Sequence, residues 1–69
     1  MKILGVDPGI YRVGYGIVER KGNNFNVILS GFIKPKKDLG YKEKFIYIKE
    51  NIEEILEQIN VDLVAIEEI

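Results

Sequence analysis

The feature that most constrains this chain is a change of hydrophobic period near its middle. Up to residue 33 the apolar residues fall in short runs of strand length, and beyond residue 38 they step by three and four. Phe45, Ile48, Ile52, Ile55, Leu56 and Ile59 follow the stripe of a helix, while Lys44, Lys49, Glu50, Glu53, Glu54 and Glu57 take the other side. One amphipathic helix over residues 39–59 is predicted, with Asp38 as its N-cap and Asn60 as a left-handed stop. Its lysines come early and its glutamates late, against the helix dipole, so packing must hold it.

Before the helix, residues 2–7 (KILGVD) form an apolar run that ends in an acid and meets Pro8-Gly9, which predicts a strand buried on both faces and stopped by a turn. Residues 13–20 and 25–33 flank the turn residues 21–24 and predict a hairpin. Gly14 and Gly16 weaken the first of these strands on propensity, so they mark either a close approach of backbone or ligand, or a bulge. After the helix, residues 61–66 (VDLVAI) are again a run of strand length. The order is strand, hairpin of two strands, helix, strand. A right-handed crossover through the helix lays the last strand parallel to an earlier one, and the first strand is its natural neighbour. The predicted class is therefore α/β, a mixed sheet whose first three strands are antiparallel and whose fourth is parallel to the first.

Sixty-nine residues, 46% hydrophobic and 30% charged with a net charge of −1, suit one small unit without internal repeats or linkers. A core this small rarely gains more than ~3–5 kcal/mol, so such a chain is either very well packed or a piece of something bigger. No run approaches the roughly 18 apolar residues of a membrane span, and no secretory signal is visible, which leads to the expectation of a cytoplasmic protein. With no cysteine and no histidine, disulfides, thiolate chemistry, Ser-His-Asp triads and the usual zinc sites are excluded. The near-neutral charge counts against a dedicated basic nucleic-acid module without excluding DNA.

What remains is carboxylate chemistry. The first strand ends at Asp7 and the last at Glu67 or Glu68. Parallel neighbours about 4.8 Å apart would present these acids at the carboxyl ends of the strands, where open α/β sheets gather ligands. Adjacent carboxylates repel unless a cation joins them. A hard divalent ion, Mg²⁺ or alternatively Mn²⁺, meets that need and points to metal-assisted chemistry on a phosphate. The plainer reading is that these acids solubilise strand ends and that Asp7-Pro8-Gly9 is turn chemistry. Alternation puts Leu63, Ala65 and Glu67 on one face and Val64, Ile66 and Glu68 on the other, without deciding which face matters.

The segments GVDPG (residues 5–9), GYG (14–16), SGFI (30–33) and AIE (65–67) resemble, in order and spacing, the RuvC family of bacterial Holliday-junction resolvases, over essentially the whole chain. The resemblance implies a ribonuclease-H-like fold and a Mg²⁺-dependent crossover junction endodeoxyribonuclease. Such an enzyme is a homodimer that binds four-way DNA junctions, nicks two strands symmetrically in recombination and repair, and has branch-migration helicase proteins as partners. It implies four metal-holding catalytic carboxylates, the first matching Asp7 and the second Glu67 in preference to Glu68. The other two belong to a later helix, so residues 1–69 correspond to the N-terminal part of a single nuclease domain, expected to be inactive alone.

Two departures from the family pattern concern DNA-backbone contacts more than the metal site. Ile10-Tyr11-Arg12-Val13 shifts the arginine by one and replaces a threonine, and Lys34-Pro35 follows SGFI where a basic residue and threonine are usual. Arg12, Lys34, Lys36 and Lys37 are candidates for DNA phosphates, although residues of this kind more often serve as solvated surface. Tyr11 and Tyr15 could stack on nucleotides, with packing as the commoner fate. The glycine register of residues 5–14 also resembles the YqgF family, whose members share the fold, would act on RNA and lack the AIE strand. An actin-like ATPase reading weakens because neither Ser nor Thr follows Gly9. A non-catalytic binding module of the same fold is the remaining alternative.

Overall fold

The computed structural model describes residues 1–9 and 11–67. Its elements are β1 (Lys2–Pro8), β2 (Val13–Lys21), β3 (Asn24–Ile33), α1 (Tyr41–Gln58) and β4 (Leu63–Ile66). The four strands make one sheet in the order β3-β2-β1-β4. β1 and β3 pair antiparallel with β2, and β4 lies parallel to β1. The predicted α/β mixed sheet is the observed one.

Alternation along the strands builds the core on one face. Leu4 and Val6 of β1, Val13 and Ile17 of β2 and Ile33 of β3 are buried, and Ile48, Ile52, Ile55, Leu56 and Ile59 of α1 pack against them with Tyr15 and Val61. Leu4 and Ile17 are fully buried, each contributing about 1.5–3 kcal/mol by leaving water. A single helix covers only one face, which corrects the expectation that β1 is buried on both: Asp7 on its far side is exposed. β4 forms a sheet edge, and its Leu63, Val64 and Ile66 are 50%, 45% and 67% exposed.

Several local expectations are also corrected. The helix begins at Tyr41 with Gly40 as N-cap and no side-chain cap, because the chain first turns over residues 36–39, with the Leu39 amide bonded to the Lys36 carbonyl, and places Asp38 inside that turn. At the other end Ile59 is extended, and among the described residues only Gly22 has a positive φ. Asn60 is therefore no left-handed stop: Ile59 and Val61 both pack on the core and hold the connection straight. Phe45 is 68% exposed. It lies one turn before the core begins and, with Tyr41 and Ile48, faces the loop residues Gly9, Arg12 and Pro35.

The hairpin turn is tighter than expected, because Lys21 pairs with Asn24 and leaves only Gly22 and Asn23 in the loop. Gly22 has φ 61° while Asn23 does not cross to positive φ, the arrangement of a II′ turn, whose twist matches the strands. The irregularity in this hairpin is not at Gly14 or Gly16. Ile17 pairs with Leu29 and Val18 with Val27, so Ile28 is the extra residue, on the partner strand.

Candidate functional site

The site depends on the register of β4 against β1. Gly5 pairs with Ala65 and Val6 with Ile66, and the Glu67 amide donates to the Val6 carbonyl at 3.0 Å. At the other end Asp62 clasps Lys2: its carboxylate accepts from the Lys2 amide at 2.8 Å while its own amide donates to the Lys2 carbonyl at 2.8 Å. β4 is thus pinned at both ends. A slip of one residue would turn Glu67 to the opposite face. In the observed register Glu67 comes beside Asp7, at the carboxyl ends of two parallel strands and on the face away from α1.

The pairings extend this arrangement across the sheet. Asp7 pairs with Gly14, and Gly14 with Phe32, so one row reads Phe32, Gly14, Asp7, Glu67. The row behind it is Ser30, Gly16, Gly5, Ala65. These residues line a shallow depression of about 540 Å³. Its floor carries no side chain larger than serine's, so a bulky ligand can approach the sheet backbone closely. Gly5 and Gly16 leave space for such an approach, whereas Gly14 is flanked by the Phe32 ring and the Asp7 side chain. A methyl at Gly14 would meet the Phe32 ring at 3.5 Å and the Asp7 side chain at 3.7 Å, which is ordinary contact.

Asp7 and Glu67 are exposed, and among the described residues neither enters an ion pair or a side-chain hydrogen bond. Two hard oxygen donors on adjacent strands suit one side of a divalent ion's coordination sphere, leaving positions for water and phosphate oxygens. Among the described residues no third acid joins them. Glu68, the alternative to Glu67, lies outside the described residues, as does Ile10.

Of the basic candidates, Arg12, Lys34 and Lys37 line a second concavity of about 430 Å³ with Tyr11 and Pro35, whereas Lys36 is not part of its wall. Tyr15 packs against the core and Tyr11 is 77% exposed. Sequence reasoning missed Phe32. Its ring lies beside Gly14, and the Arg12 guanidinium stands 4.2 Å from the ring centroid. The sequence signal was available in the alternation Ser30, Phe32 opposite two glycines, but choosing between the faces of β3 required the register.

A mixed sheet of this order, with a helix on one face and acids ending the parallel pair β1 and β4 on the other, defines a protein of the ribonuclease-H-like class. The family model for crossover junction endodeoxyribonuclease RuvC matches residues 3–69, and the chain belongs to the RuvC family. It is 39% identical over 69 residues to RuvC of Petrotoga mobilis and 42% identical over 69 residues to RuvC of Alkaliphilus metalliredigens. In both comparisons all of this chain matches 42% of the relative's length. The structure of Thermus thermophilus RuvC in complex with Holliday junction substrate superposes with a TM-score of 0.89 at 27% identity, covering 100% of this chain and 44% of that one.

Proposed function

We propose that this chain forms the N-terminal part of a metal-dependent endonuclease domain that resolves four-way DNA junctions by paired, symmetric nicks. The observation that carries the reading is the placement of Asp7 and Glu67 side by side on the uncovered face, at the carboxyl ends of β1 and β4. Both would hold Mg²⁺, or Mn²⁺ in its place. When bound, the ion supplies Lewis-acid polarisation of a phosphoryl oxygen and activation of water. The chain's own residues do the rest. The glycine-lined floor admits the sugar-phosphate backbone, and Arg12, Lys34 and Lys37 neutralise phosphates beside it, contacts that position a duplex arm without reading its sequence. On the same reading the complete protein works as a cytoplasmic homodimer with branch-migration helicase proteins as partners.

The test is cleavage of a synthetic four-way junction by the full-length gene product in Mg²⁺. Symmetric nicking that Asp7→Asn or Glu67→Gln abolishes, with junction binding kept, is the expected result. Nicking at an undiminished rate by either variant would refute the assignment. The 69-residue chain alone is expected not to nick, because two carboxylates cannot orient a phosphate and a full coordination sphere.

A further inference from the structure

We infer that Phe32 is a positioning residue: its ring lies beside Gly14 and holds the Arg12 guanidinium over it, so that the pair links the carboxylate depression to the basic concavity and presents Arg12 as a held phosphate fork. The inference rests on the nucleic-acid reading above and adds a residue and a role to it. Phe32 lines the depression that holds Asp7 and Glu67, Arg12 lines the concavity that holds Lys34 and Lys37, and the two side chains are in contact with each other. The stack has three tiers. The ring lies beside Gly14 of β2, with Cε1 3.5 Å from where a Cβ would stand. The guanidinium then sits 4.2 Å from the ring centroid, within the range of a cation–π contact.

Such a contact does not use up the five N–H donors of the guanidinium. Among the described residues Arg12 donates no hydrogen bond and joins no ion pair. An exposed arginine on a flexible stem loses rotamer entropy when it binds a phosphate; one already held against a ring loses less. Phe32 keeps 58% exposure, far more than a side chain retained for core packing. The partner is the phosphate of a nucleic-acid strand that crosses from the carboxylates toward Lys34 and Lys37. Lysine at position 12 would keep the charge and lose both the plane and the fork.

The experiment is a double-mutant cycle on the full-length gene product, read as affinity for a fluorescent four-way junction in EDTA across a salt series. Arg12→Ala should weaken binding and reduce the slope of log K against log salt by about one. Phe32→Leu should weaken it about two- to fivefold, should cost nothing further in the Arg12→Ala background, and should be rescued by Phe32→Tyr, which keeps the ring. Arg12→Lys, an exposed change that keeps the charge and loses the fork, should shrink the effect of Phe32→Leu. Equal losses from Phe32→Leu with and without Arg12, or a loss in Phe32→Tyr as large as in Phe32→Leu, would overturn the inference while leaving the proposed function standing. Wild-type protein that fails to bind the junction would remove both.

Discussion

Asp7→Asn should have opposite effects on stability with and without a divalent ion, and the size of each follows from the site. Asp7 and Glu67 stand on adjacent strands, about 5 Å apart by ordinary strand spacing, and both are exposed. At the dielectric constant of water two unit charges at that separation repel by ~0.8 kcal/mol. Asparagine keeps the shape and removes the repulsion. In EDTA at low salt the variant should therefore be more stable than wild type by up to ~0.8 kcal/mol, and the difference should fade toward 1 M salt, where the screening length falls to about 3 Å. Glu67→Gln should give a gain of similar size, and the double variant less than the sum of the two, since either substitution alone already removes the Asp7–Glu67 repulsion. With Mg²⁺ the order should invert. Wild type gains about 2.7 kcal/mol at a hundredfold excess over its dissociation constant, and the variant, with one carboxylate donor fewer, gains less. Urea titrations of the full-length gene product, followed by circular dichroism in EDTA and in Mg²⁺, measure all four quantities. A variant less stable than wild type in EDTA, or stabilised equally by Mg²⁺, would refute the reasoning.

Other expectations concern the frame around the site. Ile17→Ala removes a fully buried side chain and should cost about 2–5 kcal/mol, comparable with all a core of this size supplies, so the thermal transition should lose its cooperativity in circular dichroism. Gly9→Ala would put a Cβ 2.5 Å from the Arg12 carbonyl oxygen, forcing the backbone that carries Arg12 to shift; a loss of about 1–3 kcal/mol together with weaker junction binding is expected from melts and titrations. Gly22→Ala, at φ 61° with open space around it, should cost about 1–2 kcal/mol through the left-handed backbone alone and leave DNA binding unchanged. The 69-residue chain, with β4 as an exposed apolar edge, should self-associate in sedimentation velocity, and a single monomeric species would contradict this.

Hydrophobic period was enough to read the number, type and order of elements, because the strands and the helix differ in period and a single helix leaves one topology to choose. It failed where tertiary contacts override local preference. Asp38 has cap chemistry but sits inside a turn, and Asn60 has stop chemistry but lies between an extended Ile59 and Val61, both packed on the core. The acids were legible as strand ends. Their shared face was not, because it depends on the Asp62–Lys2 clasp 60 residues apart in sequence, a pairing that no local pattern contains. Phe32 escaped notice for the same reason: beside Gly31 it reads as an ordinary strand aromatic, and only pairing with Gly14 places it in the row of Asp7.

The clasp also bears on the order in which the molecule assembles. β1, β2 and β3 are joined by short connections and pair with their neighbours in sequence, so loop-closure entropy is small and their sheet can form early. β4 reaches β1 only after the whole of α1 has been laid across the sheet, and its four residues bring no buried side chain to hold them there. Of these four strands it is expected to pair last and to open first. The Asp7–Glu67 pair should therefore form only when β4 docks, and amide exchange at Glu67, whose amide donates to the Val6 carbonyl, measures how long that docking lasts.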